Sequence, residues 1–308
     1  MLRSMYSGIS GMKNFQTKLD VLGNNIANVN TFGFKKGRTT FKDMVSQQIA
    51  GATGPGQGQG GVNARQVGLG MQLSSIDTIH TQGSLQNTNR ELDLGISGDG
   101  YFVVGQATGN EWNGTDKNIA IDNVNLNYTR AGNFYLDSQG FIVNSDGLYL
   151  MGQSTNNANG VDSENDLLAN QMGRIQIPTS AQSFSIGANG VVNYIDTNGE
   201  LRIGGRVTLA KFPNPEGLQK VGDNLYQTSA NSGNPNGEAV AANVGWDDFT
   251  APGANGAGSL VAGTLEMSNV DLSEEFTEMI VAQRGFQANT RIITTSDEIL
   301  QELVNLKR

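Results

Sequence analysis

Cysteine is absent from the 308 residues, and histidine occurs once, as His80. The first absence excludes disulfides and thiolate chemistry, and together they exclude a zinc site of the usual Cys/His kind. Charged residues are scarce at 16%, and the net charge is −9. An acidic balance argues against nucleic acid, whose phosphates attract basic faces. No apolar run reaches the roughly 18 residues that cross a bilayer, so no membrane insertion is expected. The opening MLRSMYSGISGM lacks the basic region and long apolar stretch of a cleavable signal peptide. No catalytic constellation emerges either. Gly54 to Gly61 lacks the Lys-Ser/Thr of a phosphate loop. The carboxylates Asp162 and Glu164, and Asp247 and Asp248, stand in polar stretches with nothing to hold them across a cleft. In Asp196-Thr197-Asn198-Gly199, Gly205 occupies the place where a calcium loop needs Glu. The chain is therefore expected to be no enzyme, with no cofactor and no metal.

What is present is concentrated at the two ends. Met5, Met12, Leu19 and Ile26 recur every seven residues, with Phe15, Leu22 and Val29 in a row three residues later. These are the a and d positions of a coiled-coil seam. Ser4, Ser7 or Ser10 is expected to cap this helix, and Asn28 to Gly33 to end it. Gly8, Gly11 and Gly23 weaken it by up to about 1 kcal/mol each. At the other end Leu272, Met279, Phe286, Ile293 and Leu300 repeat every seven residues, with Phe276 and Val304 in the companion row. Asp271 and Glu274 have capping-box spacing, and a helix over 272–306 spans ~50 Å at about 1.5 Å per residue.

Charge distinguishes the ends. Residues 1–42 hold seven basic side chains against Asp20 alone, net +6, leaving −15 for the rest. Residues 271–308 carry four basic and seven acidic side chains, net −3. The basic head is expected to pair with acidic parts of the same protein or of a neighbouring copy. Two narrow apolar stripes cover each other incompletely, and the exposed rims mark an assembly surface.

Between the ends, short apolar runs alternate with tight-turn signals. YFVV (101–104), NFYLD (133–137), GFIVN (140–144), LYLMG (148–152), GVVNYID (190–196) and VTLAKF (207–212) read as strands. Asp99-Gly100, Ser145-Asp146-Gly147, Asn189-Gly190 and Asn198-Gly199 supply the positive φ that hairpins require. The expected fold class is α+β, with a mainly antiparallel β domain, barrel- or sandwich-like, flanked by long terminal helices. The expected division is an inner helical domain of 1–34 with 265–308, an extended flexible linker over 35–75, and a β-rich outer domain over 76–264. A surface insertion is expected at 154–172, and residues 51–61 and 230–259 read as loose.

The motifs at the ends carry a resemblance. Leu19-Asp-Val-Leu-Gly-Asn-Asn-Ile-Ala-Asn28 with Thr31-Phe-Gly-Phe-Lys35 is similar to the N-terminal signature of bacterial flagellar rod and hook proteins. Leu265-Glu-Met-Ser-Asn-Val-Asp-Leu272 and Met279-Ile-Val-Ala-Gln-Arg-Gly-Phe-Gln287 resemble the C-terminal one. Asp93 to Phe102, Tyr128-Thr-Arg-Ala-Gly-Asn-Phe134, and Gly217-Leu218 with Gly222-Asp-Asn-Leu-Tyr226 resemble the β-domain motifs. Within the family, Ser268–Ser273, Ile280–Arg284 and Leu303–Lys307 favour a hook subunit of the compact kind found in Gram-positive bacilli. The insertion near 45–66 and the short middle favour the alternative, a distal-rod subunit.

The resemblance implies a head-to-tail homopolymer, exported through the flagellar type III apparatus without a cleaved signal. For a hook it implies rod, hook-cap and hook–filament junction proteins as partners, in a curved tube that transmits motor torque. The Gly-rich stretches 45–66 and 230–259 would then let outer domains slide. A remote alternative is a secreted glycan-active or glycan-binding β-domain with helical arms.

Overall fold

The computed structural model describes residues 2–56, 58, 60–107, 124–155, 160–161, 167, 172–235 and 248–306. Most of 154–172 and the core of 230–259 lie outside these residues, as do Asp162, Glu164, Asp247 and the basic pair that closes the chain. The chain divides into two units: Met1–Val29 with Lys36–Ile79 and Val270–Arg308, and Asn30–Lys35 with His80–Asn269.

The first unit holds helices α1 (Leu2–Ala27) and α2 (Leu272–Leu306). α1 begins upstream of all three candidate caps, so Ser4, Ser7 and Ser10 lie inside it. The Ser10 hydroxyl instead donates back to the Ser7 carbonyl at 2.8 Å, the i−3 bond that mid-helix serines make. α2 starts as expected: the Asp271 carboxylate accepts from the Ser273 and Glu274 amides at 2.8 and 3.4 Å, an N-cap arrangement. Glu274 and Glu275 in the first turn suit the helix dipole.

Residues 37–78, read from the sequence within an extended linker, carry two antiparallel ladders. Gly37–Asp43 pairs with Met71–Thr78, with a bulge between Thr40 and Phe41. Further out, Ser46–Ala50 pairs with Arg65–Gly68. Two-stranded ladders are marginal alone, and the inner one is anchored to α1. Asn14 donates to the Met71 carbonyl at 2.8 Å, and the Phe15 and Phe41 rings lie 6.3 Å apart. The outer ladder is exposed throughout.

The second unit is antiparallel β. Its main sheet runs in the order Ser183–Ile186, Val191–Ile195, Leu201–Val207, Tyr149–Ser154, Tyr101–Ala107, Val124–Thr129, Leu225–Gln227, Gln219–Gly222. The expected turns close as Asn-Gly and Asp-Gly hairpins should, with Gly147, Gly190 and Gly199 all near φ +80°. VTLAKF, read as one strand, is divided. The strand ends at Val207, and Leu209–Ala210 pairs instead with Tyr101 and Phe102. Three buried apolar clusters fill this unit, the largest around Phe102, Phe134, Leu150 and Val207.

The first unit differs sharply. Among the described residues its buried apolar side chains are Leu22 and Ala282 alone, alongside buried Asn14, Asn25, Glu275 and Ser296. At about 25 cal/mol per Å² of apolar burial, so thin a core leaves the helices weakly held.

Candidate assembly surface and a buried ionic knot

α1 and α2 run antiparallel, and glycine sets their closest approach. A Cβ on Gly11 would lie 2.7 Å from the Asn289 amide nitrogen, one on Gly8 3.3 Å from Ile293, and one on Gly285 2.7 Å from the Phe15 ring. Two of the three glycines that weaken α1 are therefore contact points. Gly23 is not, since a Cβ there meets nothing within 4 Å. Gly23→Ala should raise stability by about 0.5–1 kcal/mol through helix propensity, whereas Gly11→Ala should lower it. Thermal melting of both variants checks the contrast.

The expected seam residues are placed as follows. Leu22 is buried, while Met5, Met12, Phe15, Leu19, Ile26 and Val29 are half-buried. On α2, Met279, Phe286, Ile293 and Leu300 are half-buried, and Leu272, Phe276 and Val304 are exposed. The row that accompanies Met279 and Phe286 toward α1 is Glu275, Ala282, Asn289 and Ser296, not Phe276 and Val304. Small and polar side chains occupy it because the glycine contacts bring the helices too close for larger ones. Polar ties reinforce it. Lys18 pairs with Glu278 at 2.9 Å, Lys36 with Glu274 at 2.8 Å, and Asn25 donates to Glu275 at 3.0 Å. The basic head thus meets acidic α2.

This leaves a second apolar row facing outward. Ile292, Ile299 and Leu306 recur every seven residues, with Val281 and Leu303 on the same side, and all five are exposed. The sequence reading missed this row because it followed the stronger one through Phe286. Phe276 and Ile280 add exposed apolar area at the helix start, as does Tyr6 on α1.

A different construction occupies the second unit. Glu266, fully buried, accepts from Lys35 at 2.6 Å and from the Gly83 amide at 2.9 Å through Oε1, and from Arg130 at 3.1 Å through Oε2. Lys35 also donates to the Thr81 carbonyl at 2.8 Å. Burial pulls the Lys35 ammonium below its usual range, against the opposing pull of Glu266. Lys220 donates to the Lys35 carbonyl at 3.0 Å, and Asn224 to the Phe32 carbonyl at 3.2 Å. Gly33, at φ +70°, donates to the Glu266 carbonyl at 2.8 Å, and a Cβ on it would lie 2.6 Å from the Ala131 nitrogen. Three of the motifs quoted from the sequence thus meet at one carboxylate, and a fourth holds the Phe32 carbonyl through Asn224.

His80 lies beside this knot. Its Nδ1 is 2.6 Å from the Tyr101 hydroxyl, and its ring meets those of Tyr101 and Tyr226 edge-on. Burial, then the charges of Lys35, Lys220 and Arg130, push its pKa down to about 4. The unfolded imidazole takes up a proton near pH 6.5 and the folded one does not, so stability should fall as pH drops from 6.5 to 4. The loss is at most about 3 kcal/mol. His80→Gln should flatten that part of a denaturation-against-pH profile.

No described helix is long and apolar enough to cross a membrane. Among the described residues no cluster of three His, Asp or Glu is placed to hold a metal. Among the described residues, the helix pair leaves a row of large apolar side chains exposed. An exposed apolar row of this kind marks a surface for association.

Comparison with known proteins gives the lineage. The family model "Flagella basal body rod protein" matches residues 5–35, "Flagellar hook protein FlgE/F/G D1 domain" 95–194, and "Flagellar basal body rod FlgEFG protein C-terminal" 261–306. The flagellar basal-body rod protein FlgG of Bacillus subtilis is 54% identical over 308 residues, the whole of both chains. That of Borreliella burgdorferi is 34% identical over 310 residues, again the whole of both. The flagellar hook protein FlgE of the same organism is 32% identical over 470 aligned positions covering both chains entirely. The chain belongs to the flagellar rod and hook family, whose members are self-assembling structural proteins of the basal body and hook and not enzymes. Between the two kinds of subunit, the comparisons favour the rod over the hook.

Proposed function

We propose that the chain is a distal-rod subunit of the flagellar basal body. The observation that carries this reading is the end-to-end match, at equal length, with a rod protein at 54% identity. The hook relatives align over 470 and 479 positions against 308 residues here, so they carry additional length that this chain lacks. The ladders over 37–78 support it too, since an insertion near 45–66 distinguishes the rod alternative in the sequence. The hook-like residues Ser268–Ser273 and Leu303–Lys307 are the argument for the hook reading.

In the rod reading, subunits join head to tail through α1 and α2, and a contact whose rotation does not close builds a helical tube. The proposed inner residues are Met5, Met12, Phe15, Leu19, Leu22, Ile26, Val29, Leu272, Phe276, Met279, Phe286, Ile293, Leu300 and Val304, joined by the row through Ile292 and Ile299. Neighbouring partners are other rod subunits below and hook subunits above. Cap and junction proteins belong to the hook reading. Export runs through the flagellar type III apparatus. The thin core of the terminal helices suits it, because ends that order only on assembly stay threadable until then.

Electron microscopy of basal bodies from a null mutant tests the choice. A truncated rod with no hook is expected, and a full-length rod lacking only the hook would assign the chain to the hook.

A further inference from the structure

We propose that the open face of α1 in one copy docks antiparallel on the open flank of α2 in the next, with Lys13 against Glu298 and Asp20 against Arg291. The proposal rests on the head-to-tail reading above and specifies the contact within it. On α1, residues 6, 9, 13, 16, 20, 23 and 27 follow one another in steps of three and four, so their side chains share a helix face. All seven are exposed. On α2, residues 284, 288, 291, 295, 298 and 302 keep the same steps, are exposed as well, and lie beside the apolar row through Ile292 and Ile299. Neither face belongs to the seam within the copy, which runs through Gly8, Gly11 and Phe15 on one helix and Gly285, Asn289 and Ile293 on the other. Lys13, Asp20, Arg291 and Glu298 form no ion pair among the described residues, whereas Lys18 and Lys36 on the seam side do.

Charge selects the register. A head-to-tail assembly keeps every copy pointing the same way. The α1 of one copy therefore meets the α2 of the next antiparallel, as the two helices meet within a copy. Lys13 and Asp20 are seven residues apart, and so are Arg291 and Glu298. Placing Lys13 opposite Glu298 thus places Asp20 opposite Arg291, and both pairs are attractive. Sliding by one heptad in one direction sets Lys13 against Arg291, and in the other sets Asp20 against Glu298. Each slide brings like charges together. The attractive register also sets Gly23 opposite Ala288, so two small residues allow the backbones to approach there, as Gly8 and Gly11 do within the copy. It gives the α1 glycine that meets nothing in its own chain a partner. At the other end it brings the exposed Tyr6 and Ile9 to the exposed Ile299 and Leu306.

Charge reversal in the full-length chain tests the pairing, with light scattering reading the concentration needed for polymerisation. Lys13→Glu and Glu298→Lys should each raise that concentration about tenfold, and the two combined should return it to within about threefold of the parent. All these side chains are exposed, so the monomers should melt alike. The absence of cysteine allows a second measurement on the same contact. Gln16→Cys with Thr295→Cys, opposite each other in this register, should link copies into ladders on oxidation during assembly. Gln16→Cys with Ala288→Cys, one heptad out of register, should not. A combined variant no better than the worse single one, a Lys13→Glu chain that polymerises more readily than the parent, or ladders only from the out-of-register pair overturns the pairing while the head-to-tail reading stands. A parent chain that stays monomeric overturns both.

Discussion

Replacing Glu266 with alanine should destabilise the β unit by about 3–5 kcal/mol, because it strands two buried cations at once. Lys35 and Arg130 both lose their carboxylate, and Gly83 loses the acceptor for its amide. Both charges are shielded from water by the described residues, Lys35 fully and Arg130 nearly so. The ion pairs themselves need not be strongly stabilising, as desolvation offsets much of their attraction. The cost arises from breaking one side only. Glu266→Gln keeps the shape and acceptor oxygen, and should lose less. At about 2–4 °C per kcal/mol for a domain of this size, the alanine variant should melt roughly 10 °C lower. Calorimetry on both variants measures it, and equal melting temperatures would refute the role given to the knot.

The second large effect is expected without any loss of stability. Ile292 and Ile299 are exposed on α2, 45% and 44% respectively, and they point away from the α1 seam. Changing both to glutamate should leave the monomer's melting temperature within about 1 °C, since neither supports the fold and Glu is a good helix former. In the assembled state each would bury an unpaired carboxylate in an apolar contact, a penalty of several kcal/mol. The concentration needed for polymerisation should therefore rise by at least about a hundredfold, as two residues together oppose docking by ~3 kcal/mol or more. Light scattering during assembly reads this directly. A variant that melts normally and polymerises like the parent would show that another face makes the contact.

The sequence exposed some of this architecture and concealed the rest for identifiable reasons. Helix α2 was legible because its apolar period, Asp271 cap and acidic first turn agree. The β unit was legible because Asn-Gly and Asp-Gly turns punctuate its strands. Phe276 and Val304 lie off the row that faces α1, which holds Ala282, Asn289 and Ser296; a search for apolar residues passes over such small and polar side chains, which the close helix approach selects. The knot had no local signal at all. Lys35, Arg130 and Glu266 are separated by about a hundred residues or more in the chain, and only their motifs stood out. The outer ladder of 46–50 with 65–68 carries no such signal, because its strands are exposed throughout and the segment between them is rich in Gly and Gln, whereas in the inner ladder Met71–Thr78 alternates in burial.

Everything assigned to assembly depends on one imbalance: the helical unit buries too little of its own apolar surface to be complete alone. Sedimentation velocity of the purified full-length chain over a thousandfold concentration range tests this most directly. Progressive growth from monomer to long tubes is the predicted outcome. One monomeric species at every concentration, with the amides of both terminal helices fully protected from hydrogen exchange, would contradict it.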